Sequence, residues 1–146
     1  MQAAVLLAKL DIFEDEINRR QVVAQRYAQQ LESLEGEGKL TLPIVRSHNT
    51  SSWAQYTIRV QGRDELQQAL TKNQIPTAIH YPAPLYRQPA LAQSEANCPQ
   101  SDRAADEVLS LPMHPYLSEE AQTLVTQTLV DVLAALLSTR NQSTGG

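Results

Sequence analysis

The chain has 146 residues, 42% hydrophobic and 19% charged, with a net charge of −4 that argues against a general affinity for nucleic acid. Its single cysteine, Cys98, excludes an internal disulfide and fits a reducing compartment. No signal pattern opens the chain, and the apolar segment from Leu124 to Leu137 is too short and too interrupted (Thr126, Gln127, Thr128, Asp131) to span a bilayer, so the expectation is a cytoplasmic protein with no membrane partner.

The helical period begins at once. Leu6, Leu10, Phe13, Ile17, Ala24, Tyr27, Leu31 and Leu34 recur at spacings of three and four, apart from a break at Arg20. They predict one long helix over residues 1–36, ended by Gly36 and Gly38, with a single apolar stripe for the chain's own sheet or a partner helix. No N-cap residue stands before it, so the helix reads as one that starts upstream. Leu40 to Pro43 predicts a short strand, and Trp53 to Val60 predicts the clearest one. There Ala54, Tyr56, Ile58 and Val60 alternate with Trp53, Gln55, Thr57 and Arg59. Arg63 to Lys72 is expected as a helix with Leu66, Ala69 and Leu70 inward and Asn73 as its left-handed terminus. Ile75 to Tyr81 follows as a third strand.

That strand delivers the stretch richest in chemistry, Thr77 to Ala90. It holds an imidazole (His80), two phenols (Tyr81 and Tyr86) and a guanidinium (Arg87) among the prolines Pro82, Pro84 and Pro89. Rigid turns carrying such groups suit an anionic or sugar-like ligand, although Pro-rich surface loops also carry them without binding anything. Gln93 to Gln100 reads as polar loop, Ser101 as the cap of a short helix with Asp102 in its first turn, and Leu109 to Pro115 as extended chain. Ser118 caps a last helix with Val125, Leu129, Val132 and Leu136 inward, widened by Leu133 and Leu137. Asn141 to Gly146 is expected as a flexible tail. The element order predicts an α+β fold: a small, mainly antiparallel sheet covered by helices on one face, in a single domain over residues 1–140.

Other chemistry is thin. His48, His80 and His114 lie far apart, with no metal-ligand spacing. Glu14 to Glu16 with Arg19 and Arg20 read as a solvated helix face. Phosphate-binding glycine loops and a nucleophile elbow are missing, and Lys9, Lys39 and Lys72 lack the buried setting that depresses a lysine pKa. No catalytic, cofactor-binding or metal-binding residue is assigned.

Five collinear segments resemble the C-terminal part of the DegT/DnrJ/EryC1/StrS aminotransferases. They are Met1 to Leu10, Trp53 to Val60 with Arg63 to Leu66, Ile75 to Leu85, Gln88 to Ala90, and Leu109 to Leu117. The resemblance implies the small domain of a fold-type I enzyme. Such an enzyme depends on pyridoxal phosphate and transfers an amino group, usually from glutamate, to a nucleotide-linked keto-sugar. It also implies dimers with active sites at the subunit interface, and that His80 and Tyr81 face the nucleotide-sugar at its phosphates. In that family the cofactor lysine, the acid at the pyridine nitrogen and most phosphate ligands lie in a preceding large domain, and none of the three lysines here matches that lysine. The chain alone is therefore expected to be non-catalytic and without cofactor, with self-association or a separate large domain completing it. A stand-alone binding or dimerisation module, or half of a split enzyme, is the alternative. Two positions depart from the family pattern: Tyr86 stands where His is common, and Gln74 where Gly is common.

Overall fold

A computed structural model describes residues 2–91 and 96–143 of the chain. In order these form α1 (Gln2–Leu10), α2 (Phe13–Gly36), β1 (Tyr56–Arg59), α3 (Arg63–Lys72), a 3-10 turn (Leu85–Arg87), α4 (Pro99–Glu107), β2 (Val108–Leu111) and α5 (Glu119–Ser143). The architecture is α+β, as the element order predicts. β1 and β2 pair antiparallel, Tyr56 opposite Leu111 and Arg59 opposite Val108. Single bridges extend the pairing on both sides, Thr41 to Arg59 and Ala78 to Ser110. The strands expected over 40–43 and 75–81 are thus reduced to one bridging residue each. Pro43 and Pro76 each stand two residues from the bridge, at the next pairing position, and have no N–H to extend the ladder in that direction.

Alternation in β1 sends Tyr56 and Ile58 into the core, where Leu109 and Leu111 of β2 join them. Tyr27 of α2 stacks on Tyr56 with ring centroids 4.8 Å apart. Burial pushes the Tyr56 phenol up to about 12 and the Tyr27 phenol higher still. Tyr27 donates its hydroxyl hydrogen to the Pro112 carbonyl at 2.8 Å, so this buried polar tip is satisfied. Leu66 and Leu70 of α3 and Val125, Leu129 and Leu133 of α5 close the same cluster. Gln122 of α5 is fully buried; its amide donates to the Val23 carbonyl at 2.8 Å and accepts from Arg26 at 3.0 Å. By length and composition Glu119–Ser138 could cross a membrane, a longer segment than the one weighed from sequence. Its Val125, Leu129 and Leu133 stripe lies in the core against α2 and α3, the use a core helix makes of such a stripe.

The predicted 36-residue helix is two helices. The chain turns at Asp11 and Ile12, and the Ile12 carbonyl accepts from the Glu16 N–H to start α2. From Ala24 to Leu34 the stripe is buried as expected, while Leu6, Leu10 and Phe13 are exposed, Leu6 at 65%. Glu16 corrects the expectation of a solvated face, being only 8% exposed. Its carboxylate accepts the Tyr116 hydroxyl at 2.9 Å and the Lys9 ammonium at 3.2 Å. Tyr116, from the turn before α5, covers it across 100 residues of sequence.

Helix ends follow backbone chemistry with two corrections. Gly38, at φ 69°, ends α2, and the N–H groups of Glu37, Gly38 and Lys39 return to the carbonyls of Ser33, Glu35 and Leu34. At the end of α3 the left-handed residue is Gln74 (φ 61°), while Asn73 stays at φ −88° and donates its amide to the Ala69 carbonyl. Asn73 can thus satisfy an orphan carbonyl without leaving the right-handed region. α4 starts at Pro99 behind Cys98 rather than at Ser101, since proline is preorganised for the first helical position. Ser118 caps α5 as expected, its hydroxyl accepting the Ala121 N–H at 3.2 Å. α5 runs through Ser143, into the stretch expected as tail, and residues 144–146 lie outside those described. So does most of the start of the loop expected over 93–100, residues 92–95 being undescribed.

Candidate functional site

Ala78 is joined to Ser110 of β2 by two backbone hydrogen bonds, 3.1 and 2.8 Å, and this bridge sets the following residues at the edge of the sheet beside β2. His80 lines a cleft of about 230 Å³ there. Its walls come from Gln55 before β1, Thr77 and Ala78, Ser110 and Leu111 of β2, and Met113. Tyr81 stands beside His80, 73% exposed, with ring centroids 6.0 Å apart in an edge-to-face arrangement. The peptide bond joining them is cis. Neither side chain is hydrogen-bonded to another described residue, so an imidazole N–H and a phenolic O–H remain available to a ligand. Of the two predicted site residues, His80 lines the cleft and Tyr81 stands next to it, outside the lining.

The rest of the motif is spent internally. The Tyr86 hydroxyl donates to Asp102 at 2.5 Å, and the Arg87 guanidinium holds the same carboxylate oxygen at 2.9 Å. The bond to Asp102 raises the pKa of Tyr86, and burial adds to the rise. Arg87 also lies 5.7 Å from the centroid of the Tyr86 ring. Of the four polar groups singled out from the sequence, two face outward and two are tied to α4.

Sequence reasoning did not find the cleft walls. Gln55 alternates with core residues, which marks the face of the sheet it belongs to, but nothing local places Ser110 beside it. Ser110 shares a hydrogen bond with Thr57, its register partner, at 2.9 Å between the two hydroxyl oxygens. The Thr77 hydroxyl is buried with no hydrogen-bond partner among the described residues.

The three lysines do not fit a cofactor site. Lys9 pairs with Glu16, Lys39 pairs with Glu37, and Lys72 is exposed at the end of α3. Among the described residues no lysine or carboxylate lines the cleft. The other two histidines stand elsewhere: His48 is exposed in the loop before β1, and the His114 ring accepts the Tyr116 N–H at 3.3 Å. Among the described residues no three of His, Cys, Asp and Glu gather as metal ligands.

A sequence model of the DegT/DnrJ/EryC1/StrS aminotransferase family matches residues 1–130. A UDP-2-acetamido-2-deoxy-3-oxo-D-glucuronate aminotransferase of Pseudomonas aeruginosa is 44% identical over 131 residues, covering 90% of this chain and 35% of that protein. The crystal structure of a DegT/DnrJ/EryC1/StrS aminotransferase from Brucella abortus superimposes with a TM-score of 0.80 at 38% identity, over 89% of this chain and 34% of that one. That of S. venezuelae DesV in complex with a ketimine intermediate gives 0.82 at 32% identity, over 91% and 36%. The chain spans about a third of the length of the relatives it matches.

Proposed function

The chain belongs to the DegT/DnrJ/EryC1/StrS aminotransferase family, and from that premise we propose that it is the substrate-facing C-terminal part of a nucleotide-sugar aminotransferase. The reaction is amino transfer to a keto-sugar carried on a nucleotide. The observation that carries the reading is the outward-facing pair of His80 and Tyr81 at the cleft, in the segment whose resemblance assigns them to the substrate's nucleotide end. The imidazole N–H and the phenolic O–H are two donors that anionic phosphate oxygens accept well, since hydrogen bonds to a charged acceptor are the stronger kind. An apolar wall of Ala54, Leu111 and Met113 borders the cleft beside His80.

Pyridoxal phosphate, the cofactor of full-length relatives, supplies the electron sink for the amino transfer. Because none of the three lysines lies near the cleft, this chain contributes binding and orientation rather than the cofactor anchor. Alone it is non-catalytic. The exposed apolar residues of α1 provide the contact through which it joins a large domain or a second copy of itself. A cytoplasmic setting fits the exposed, unpaired thiol of Cys98.

Calorimetric titration with a UDP-linked sugar, on wild type and His80→Ala, tests the binding role. Wild type should bind, and the substitution should weaken binding at least tenfold, the worth of one hydrogen bond to a charged group. Equal affinity for both proteins, or no binding by either, would sink the assignment. Incubation with pyridoxal phosphate should leave the dialysed chain without visible absorbance, and a stoichiometric band would overturn the claim that the cofactor is anchored elsewhere.

A further inference from the structure

We propose that Asp102 is the positioning residue of the substrate loop: by holding Tyr86 and Arg87 against the first turn of α4, it fixes where His80 and Tyr81 stand. The proposal rests on the assignment of those two residues to the nucleotide end of the substrate.

The loop has two ends, and they are held differently. Upstream, Ala78 is fixed by its backbone pair with Ser110. Downstream, no backbone ladder joins the described residues 79–91 to another element. The hydrogen bonds of the 3-10 turn, Arg87 N–H to Pro84 and Gln88 N–H to Leu85, are local, as is that from the Leu91 N–H to Gln88. Among the described residues, the polar contacts that tie 79–91 to another element are the two that converge on Asp102 Oδ1, from Tyr86 and Arg87. The guanidinium in turn lies against the Tyr86 ring, so all three groups orient one another.

Asp102 itself is well anchored. Its N–H donates to the Cys98 carbonyl at 3.1 Å in the first turn of α4, and the side chain is only 24% exposed. At the other end of α4, Glu107 receives Arg59 of β1 at 2.7 Å. Position is thus handed from the sheet to α4, to Asp102, to Tyr86, and back along the chain to Tyr81. Pro82 and Pro84 make that last step stiff, because each fixes one backbone torsion between the clamp and the site. The clamp also has an electrostatic consequence. Arg87 spends its charge on Asp102, and the donors left for a phosphate at this edge are His80 and Tyr81.

Nitrogen-15 relaxation of the full chain, with UDP as the titrated probe, tests this. In wild type, residues 80–87 should be as ordered as β1. In Asp102→Ala they should loosen, with order parameters falling from about 0.85 to below about 0.6. Shifts of core residues such as Ile58 and Leu109 should stay put. If about one loop conformer in ten then remains competent, UDP affinity falls about tenfold. Tyr86→Phe should give a smaller loss in the same direction, and Asp102→Glu should recover both order and affinity relative to Asp102→Ala. A loop as ordered in Asp102→Ala as in wild type would overturn the proposal. Tighter UDP binding by Asp102→Ala would overturn it too, by making the released Arg87 the phosphate ligand. Should wild type bind no UDP, the nucleotide assignment fails, and loop order in Asp102→Ala still decides the role of Asp102 by itself.

Discussion

Between Ala24 and Leu34 the stripe of α2 is buried against the sheet and α5, whereas between Leu6 and Phe13 the same stripe faces solvent. In sequence the two halves are alike, apolar at spacings of three and four. What separates them is supply: Tyr56, Leu129 and Gln122 arrive to cover the later half, while among the described residues the polar contacts on α1 from beyond it are those at its hinge, where Lys9 meets Glu16 and Tyr116 covers Glu16. Periodicity announces that a face wants burial, and it is silent on whether the same chain provides it. The exposed half is the surface that the proposed contact would use.

Four measurements would break or sharpen that contrast. The largest effect belongs to Leu31→Ala, at a fully buried position, which should cost about 2–5 kcal/mol in denaturant unfolding. A loss below about 1 kcal/mol would mean that the later half is not the core. Next is Gln122→Ala, which strips partners from the Val23 carbonyl and Arg26 and should cost about 1–3 kcal/mol. The third concerns the hinge. Hydrogen bonds from Tyr116, then Lys9, hold the Glu16 carboxyl below its ordinary value. A depressed folded-state pKa contributes stability that is present above the unfolded value and lost as pH falls through the folded one. Hydrogen-exchange protection factors across residues 9–16, taken relative to the intrinsic rate at each pH, should therefore fall on acidification below the ordinary glutamate range, and Glu16→Gln should flatten that response. A wild-type profile as flat as that of the variant would remove the hinge's pH dependence. The smallest change in fold stability is expected for Leu6→Gln, within about 0.5 kcal/mol, while light scattering shows less self-association than wild type. A wild type that stays monomeric at high concentration would count against α1 as a contact.

Much of this was legible in the residues, and where it was not, the missing term was non-local. Tyr27, Leu31, Leu66 and Leu129 announce their burial through period alone. The break at Asp11 and Ile12 does not, because no glycine or proline marks it and the groups that hold it, Lys9, Glu16 and Tyr116, meet only in three dimensions. Thr41 and Ala78 read as strand centres, yet the prolines two residues from them decided how far pairing could run. At the site, His80 and Tyr81 were identified through a resemblance rather than through chemistry, since chemistry alone gave Tyr86 and Arg87 equal standing. Only the position of Asp102, fifteen and sixteen residues downstream of them in sequence, separates the two pairs.

The bond from Gln122 to the Val23 carbonyl spans 99 residues, and that from Arg26 to Gln122 spans 96. β1 likewise waits for a partner strand about fifty residues further along. Contacts of such separation carry a loop-closure cost that must be met before they return any stability. During synthesis α2, β1, α3 and β2 can cover parts of one another as they emerge, but the parts of the core that Val125, Leu129 and Leu133 close stay open until α5 has left the ribosome. The core around Tyr27 and Tyr56 is therefore complete only once α5 has docked on it.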